Sequence, residues 1–314
     1  MNVNAIELSV LAAPGDLPFL PSTIRHQLRT FSACELIDRR ALVLDLREDT
    51  PTGDKRTLLG LGEKLVEEGL LDDVRTVDWS DERVAASLLR WYGSAGAPRG
   101  AGRHGRAARY QFIYSIDSAA RQRVLHLDSD VLVHMSKFTW LEESAEVFSA
   151  NPKVVAIVPY GEVPQANRAI EWILGERVDR PNYPSGWLFN TDFTSRAFLI
   201  DRGRIERALF PLPLPDPAAH LEANIADALR SRQCQKATLV DPTEYFLHPH
   251  RHNEHHIRYL EELIELVEQG RYPYRRVGHP WDITTEGRRF IPWWVLAKLS
   301  RSPFRGRHRR QRAA

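Results

Sequence analysis

Cysteine is scarce: Cys34 and Cys234 are the only two among 314 residues. Without CxxC spacing they exclude a disulfide framework and a cysteine zinc site, and they fit a reducing compartment. No apolar run reaches the length needed to span a bilayer, and the N-terminus lacks a basic stretch leading into an apolar one, so a cytoplasmic protein is expected. The early chain also lacks a phosphate-gripping loop. Ala12-Ala13-Pro14-Gly15-Asp16 is short and not glycine-rich, which argues against a nucleotidyltransferase. Neither sign of charge dominates, but the net +2 is unevenly spread: Arg301 to Arg312 is arginine-rich, while the preceding chain carries a small acidic excess. At 43% hydrophobic and 27% charged, the chain can build one sizeable core or two modest domains.

The most informative stretch is Arg123-Val124-Leu125-His126-Leu127-Asp128-Ser129-Asp130-Val131-Leu132-Val133. Its apolar residues read as a short buried strand that ends on two carboxylates one residue apart. In an extended segment residues i and i+2 point the same way. Asp128 and Asp130 therefore offer two hard oxygen ligands to one Mg²⁺ or Mn²⁺, whose open side can hold a diphosphate. The bland alternative is a strand closed by an acidic turn.

Strand and helix patterns alternate up to this motif. Ile6 to Leu11, Ala41 to Leu46 and Val74 to Trp79 read as strands. A helix after Pro18, with Pro21 in its first turn, Leu58 to Leu71, Val84 to Trp91 and Arg106 to Ala119 read as helices. Gly93 to Gly105 reads as a solvated loop. The alternation predicts βαβ units and a mostly parallel sheet, with the loop after Leu11, Asp45 and Asp128/Asp130 lining one crevice.

The order of these pieces resembles the GT-A glycosyltransferases, most closely family 2. The residues that carry it are Leu8 to Pro14, Val43-Leu44-Asp45, Leu125 to Asp130, Glu222 to Leu229 and Asp241 to His248. The match covers roughly the first 250 residues, and the order of the short motifs is stronger evidence than any one of them. The resemblance implies a GT-A-like α/β fold, a mostly parallel sheet flanked by helices with a C-terminal helical extension. It implies a metal-dependent transferase moving a sugar, with inversion, from a nucleoside-diphosphate sugar to a saccharide or lipid-linked hydroxyl acceptor. Ala13 and Pro14 would sit by the nucleotide, Asp45 would bind base or ribose, and Asp128 and Asp130 would hold the metal and diphosphate, with His248 on the same Mn²⁺ or Mg²⁺. Glu222 would be the catalytic base, with Asp192 and Asp227 as competitors. The family's usual second Asp after the strand-two Asp is absent; Leu46-Arg47-Glu48 stands there instead and leaves base recognition open. Phe189-Asn190-Thr191-Asp192 and the Asp-x-Asp stretch also resemble pieces of the retaining family 8, and a non-catalytic membrane-associated scaffold is the alternative outside enzymes.

Past the metal motif, Trp140 to Phe148 reads as a helix and Val154 to Val158 as a strand. Trp172, Tyr183 and Trp187 read as packing, and the chain after Asn190 and Asp192 reads as a helix near Ser195. Five of the twelve histidines fall between His248 and His256; apart from His248, they read as an exposed polar loop. Ile257 to Val267 is a helix by its apolar spacing. The expected organisation is a catalytic domain over 1–256, a helical extension over 257–300 and a basic, disordered tail over 301–314. Phe290 to Leu299 followed by that tail suits a peripheral site on an anionic membrane surface. Nucleic acid is not expected as a partner, because no recognition motif accompanies the charge.

Overall fold

The computed structural model describes residues 4–95, 106–161, 186–213, 221–239, 241, 244–248, 252 and 254–270. Trp172, Tyr183, the loop from 96 to 105, and everything from 271 onward, including the aromatic stretch and the basic tail, lie outside the described residues.

Strand β1 (Ile6–Ala12) is buried at every position, polar Glu7 and Ser9 included, as in a strand covered on both faces. It pairs in parallel with β2 (Ile37–Leu44) on one side and β4 (Arg123–Asp128) on the other, and β3 (Asp73–Thr76) adds in parallel outside β2. Beyond β4 come β9 (Ala197–Asp201), β6 (Val154–Val158), β10 (Gln235–Leu239) and β8 (Trp187–Asn190), giving the order β3-β2-β1-β4-β9-β6-β10-β8. Strands β9 and β8 run against their neighbours; the other six are parallel. A second, small sheet joins β5 (Leu132–Met135), β11 (Glu244–Leu247) and β7 (Tyr160–Gly161).

Helices cover both faces. Side chains of α1 (Leu20–Phe31), α2 (Thr52–Glu67) and α6 (Ser144–Ala150) form one core layer with Ile6, Leu8, Leu125 and Leu127. The opposite layer comes from α3 (Asp81–Tyr92), α4 (Arg106–Asp117), α7 (Arg202–Leu209) and α8 (Leu221–Ser231), packed on Val43, Val124, Phe198 and Ile200. This is the expected α/β fold, a mostly parallel sheet flanked by helices. Two short helices, α9 (Glu254–Arg258) and α10 (Leu260–Glu268), follow the small sheet, and α10 packs with Phe19, Leu132 and Leu247 in a third cluster. Among the described residues no helix is long and apolar enough to cross a membrane.

Several boundaries differ from the sequence reading. The segment near Ser195 is not helical: β8 and β9 flank it, and the helix starts only at Arg202, where Asp201 accepts from the Arg204 amide at 2.9 Å as its cap. Ala197-Phe198-Leu199-Ile200 is a short, wholly apolar run, which periodicity does not distinguish between strand and helix. The helix over Trp140 to Phe148 is two pieces, α5 (Thr139–Glu142) and α6. Buried Glu244 takes the place of a local cap on α5, accepting from the amides of Thr139 (3.1 Å) and Trp140 (3.4 Å). The helix over Ile257 to Val267 likewise breaks at Tyr259. Strand β3 is shorter than expected; the Val77 amide closes onto Leu44 O at 2.9 Å as the chain turns away.

A carboxylate sits inside β1 itself. Glu7 is fully buried; Arg75 donates to its Oε1 at 2.7 Å and the Ala120 amide to its Oε2 at 2.6 Å. Arg75 also donates to Asp73 and to Ser118 O, so the ions are compensated by several partners. Removing one member of such a network leaves a buried charge without its counter-ion. Glu7→Ala should therefore lower unfolding free energy by roughly 3 kcal/mol in urea denaturation. A loss below about 1 kcal/mol would show that Arg75 is satisfied without Glu7.

Candidate functional site

Strand order reverses at β1, which has β2 on one side and β4 on the other, and the C-terminal ends of parallel strands flanking such a point border a crevice. Asp128 ends β4 there. Its amide donates to Arg196 O at 2.8 Å, and the next amide, of Ser129, donates to Leu11 O at 3.1 Å. Both carboxylates thus leave from a turn stitched to β1 and to the entry of β9.

Two side chains hold that turn from far away in sequence. Gln27, fully buried on α1, donates its amide to Asp128 O at 2.9 Å and to Val131 O at 2.8 Å. Asp16 accepts from Ser129 Oγ at 2.7 Å and from the Ala13 amide at 2.8 Å. Ala13 and Pro14 therefore lead the half-buried turn Pro14–Asp16 onto the carboxylate pair. Burial raises the Asp16 carboxyl above its usual range, against the lowering effect of its hydrogen bond with Ser129.

Asp130 is gripped by histidines. Its Oδ2 lies 3.1 Å from His248 Nε2 and 2.8 Å from His252 Nε2. His248 gets there by register: β11 pairs antiparallel with β5, Leu247 opposite Leu132, so the residue after Leu247 lands beside Asp130. His252 is stacked on Phe19, at 4.3 Å between ring centroids and 15° between planes. Burial acts to raise the Asp130 carboxyl, but the charge of His248 and hydrogen bonds from both imidazoles outweigh it and hold it below the usual range. Asp128 goes the other way, pushed well up by burial and by the charge of Asp130. Behind it, His126 is fully buried between Phe112 and Phe198, with Nε2 at 3.3 Å from Asp128 Oδ1. Burial lowers its imidazole to about 3, so it stays neutral.

At the end of β2, Asp45 is buried with both oxygens engaged. Trp79 Nε1 donates to Oδ1 at 2.9 Å, Arg47 Nη2 donates to Oδ2 at 2.9 Å, and the Arg47 guanidinium lies 5.2 Å from the Trp79 ring centre. Arg47 belongs to the tripeptide that departs from the family pattern, and it is the residue that occupies Asp45.

Glu222 stands in the first turn of α8, where a carboxylate faces the positive end of the helix dipole. Its Oε1 accepts from the amide and the hydroxyl of Ser195, at 2.7 and 3.0 Å. Ser195 adjoins Arg196, whose carbonyl binds the Asp128 amide, so one short segment ties Glu222 to the Asp-x-Asp turn. Asp227 is exposed and paired with Arg230 on the solvent side of α8, away from that turn. Asp192 is exposed and follows β8 directly; it caps no helix, because the chain continues into β9.

Asp128, Asp130, His248, Ala13, Pro14 and Glu222 are thus tied together by direct bonds or single-residue links. Asp16, Gln27 and His252 complete the arrangement and were not singled out by sequence. His252 in particular is no spectator in a polar loop. A run of histidines has no periodicity that says which ring turns inward, whereas Asp16, coming after Pro-Gly, carried a turn signal that could have been followed. Among the described residues no three His, Cys, Asp or Glu side chains are gathered into a ready-made metal cage.

No family model matches the sequence, and no curated protein matches it. Similar solved structures include S. aureus TarS residues 1–349, with 11% identity, TM-score 0.41, and coverage of 77% of this chain and 60% of that one. Another is GalNAc-T7 with UDP, GalNAc and Mn²⁺, with 12% identity, TM-score 0.46, and coverage of 79% and 44%. A third is apo mouse xyloside xylosyltransferase 1, with 13% identity, TM-score 0.39, and coverage of 73% and 81%. The chain spans 60% of the TarS fragment and less than half of the GalNAc-T7 chain. Residue roles rest on the geometry described above.

The clamp by Gln27 makes a direct test of how the turn is held. Gln27→Leu removes both donors and leaves two carbonyls to find others, at a cost of about 1–3 kcal/mol. Amide exchange at Ser129 and Val131 should accelerate by tenfold or more, as about 1.4 kcal/mol of lost protection requires, with β2 unaffected. Unchanged exchange at those two amides would show that the turn holds itself.

Proposed function

We propose that this protein is a metal-dependent glycosyltransferase of the family 2 kind, moving a sugar from a nucleoside-diphosphate sugar to a hydroxyl of a saccharide or lipid-linked acceptor with inversion. The observation that carries this reading is the convergence of Asp128 and Asp130, the turn after β1 and Glu222 on the crevice edge of the sheet.

A divalent cation, Mn²⁺ or Mg²⁺, fits the residues present. Asp130 Oδ1 is buried with no donor among the described residues, while Asp128 is pushed up by burial beside the charge of Asp130. A hard cation answers both conditions, since it binds carboxylate oxygens and favours their charged form. Asp128 and Asp130 would hold it, with His248 at its side. When bound, it supplies positive charge against the diphosphate that departs.

The chain's own groups account for the remaining chemistry. Glu222, fixed through Oε1 by Ser195, turns its other oxygen to the acceptor hydroxyl. It takes the hydroxyl proton as the acceptor oxygen bonds to the anomeric carbon, and the bond from that carbon to the diphosphate breaks with the electron pair leaving on the diphosphate. Asp45 acts on the nucleotide at one remove: it holds Arg47 and Trp79, which present a cation and a flat ring at the end of β2. Ala13 and Pro14 line the path of the diphosphate.

Thermal stability against nucleoside diphosphates and nucleotide sugars, with and without Mn²⁺, tests the reading, because a ligand that binds the folded state raises its melting temperature. One nucleotide should give a manganese-dependent shift that Asp130→Asn abolishes. Glu222→Gln should keep the shift and lose transfer by two to four orders of magnitude, the usual contribution of a general base. A shift that survives Asp130→Asn, or full transfer by Glu222→Gln, overturns these roles.

For the basic C-terminal segment we propose peripheral attachment to an anionic membrane surface. Deleting residues 301–314 should weaken sedimentation with phosphatidylserine vesicles at least tenfold and leave the nucleotide shift in place. Equal sedimentation of the two proteins would end that proposal.

A further inference from the structure

The layer of the sheet covered by α8 contains a buried polar patch that the roles above do not use. Strand β10 turns Ala237 and Leu239 to the α1 side, so Lys236 and Thr238 point to the α8 side. Asn190 of β8 stands opposite Lys236 in the antiparallel pairing and shares that side. On α8, Asn224 is spaced three residues from Leu221 and four from Ala228, both buried in the same layer, and so it faces inward with them. Lys236, Thr238 and Asn224 are 9%, 6% and 4% exposed.

The hydrogen bonding of this patch is one-sided. Among the described residues, Asn190 Oδ1, Asn224 Oδ1 and Thr238 Oγ1 are buried without a partner. Each such group carries the cost of lost hydration with no bond to offset it. The carboxylates of Glu222 and Asp192 lie within electrostatic reach of Lys236. Burial lowers the Lys236 ammonium to about 8, and those two carboxylates offset this only in part. The two Asn oxygens only accept, and the Thr238 hydroxyl accepts as well as donates, so an occupant has to bring donors. Phosphate dianions and carboxylates bring none, and a metal cation would meet the Lys236 ammonium. A neutral polyol brings donors to the oxygens and lone pairs to the ammonium at once.

We propose that Lys236, Thr238, Asn190 and Asn224 form a subsite for the hydroxyl groups of a neutral saccharide, the acceptor-side ring whose reacting hydroxyl lies toward Glu222. This rests on the transferase reading for the identity of the ring as acceptor, while the subsite itself rests on the polar patch. Glu222 lies within electrostatic reach of Lys236, so a ring held by Lys236 has that carboxylate nearby.

The test is saturation-transfer NMR on the full chain with methyl β-glucopyranoside, methyl β-galactopyranoside and N-acetylglucosamine, and inorganic phosphate as the anion control by ³¹P line broadening. At least one glycoside should bind. Its affinity should fall tenfold or more in Lys236→Met and, separately, in Asn224→Leu, two variants of similar side-chain volume that remove the polar groups and whose folding is checked by their melting temperatures. If one variant does not fold, the other decides. No binding by any glycoside, or glycoside binding unchanged in a folded variant, overturns the subsite. Phosphate bound in place of glycosides and released by Lys236→Met overturns it in favour of an anion site. Failure of the transferase reading looks different: the manganese-dependent nucleotide shift is absent while glycoside binding, sensitive to both variants, persists and supports the subsite.

Discussion

The parallel pairing of β1 with β4 is the constraint on which the rest depends. Its register sets Leu11 opposite Asp128, and the Ser129 amide extends the ladder by one more bond to Leu11 O. The two chains therefore leave the sheet at the same level and side by side. From there short side chains suffice: Asp16 reaches Ser129, and Gln27 reaches the carbonyls on both sides of Asp130. A slip of one residue would send Asp128 to the other face and undo every one of these bonds, so the apolar pattern that fixes the pairing also fixes the site.

Buried carboxylates are met differently at the two ends of the sheet. Toward the start of β1, Glu7 is met by Arg75 and the Ala120 amide, and the network has more than one partner for each ion. At the crevice end, Asp130 keeps one oxygen without a donor among the described residues, and Asp128 carries a raised carboxyl. Folding alone rewards complete pairing, because each missing partner costs free energy. Where pairing is complete the groups serve the fold. At Asp130, where it is left open, the proposed cation would supply the missing partner.

How far this was legible in the sequence depends on the range of each interaction. Strand β6 was readable as a continuous apolar run, and β1, β2 and β4 by their apolar residues, although Glu7 and Ser9, Asp38 to Arg40, and His126 interrupt them. Asp128, Asp130 and His248 were readable because strand ends carry them. The run Ala197 to Ile200 was misread because four apolar residues have no period long enough to separate strand from helix. Gln27 and His252 were invisible for another reason. Their partners stand 101 and 122 residues away, and a glutamine on a helix or a histidine in a polar loop looks the same in sequence whether or not it is turned to a distant carbonyl or carboxylate. Arg47 shows the converse case: a departure from a family pattern was visible, and only its pairing with Asp45 shows what it does.

The clasp on Asp130 links the site to the end of the described chain. His248 and His252 arrive only after β11 has paired with β5 and the chain has turned into α9 and α10. Helix α10 is in turn pinned to α1, through Glu261 on Ser22 and Glu268 on His26, while His26 Nε2 accepts from the Val133 amide at 3.0 Å. Helix α1 also carries Gln27. One helix therefore holds the Asp-x-Asp turn from below and, through its other side chains, the segment that brings the histidines from above. Because these contacts close loops of more than a hundred residues, their entropy cost is met only once the β1–β4 core exists. The carboxylate pair is thus positioned by the core, and its histidine clasp depends on everything that folds onto α1 afterwards.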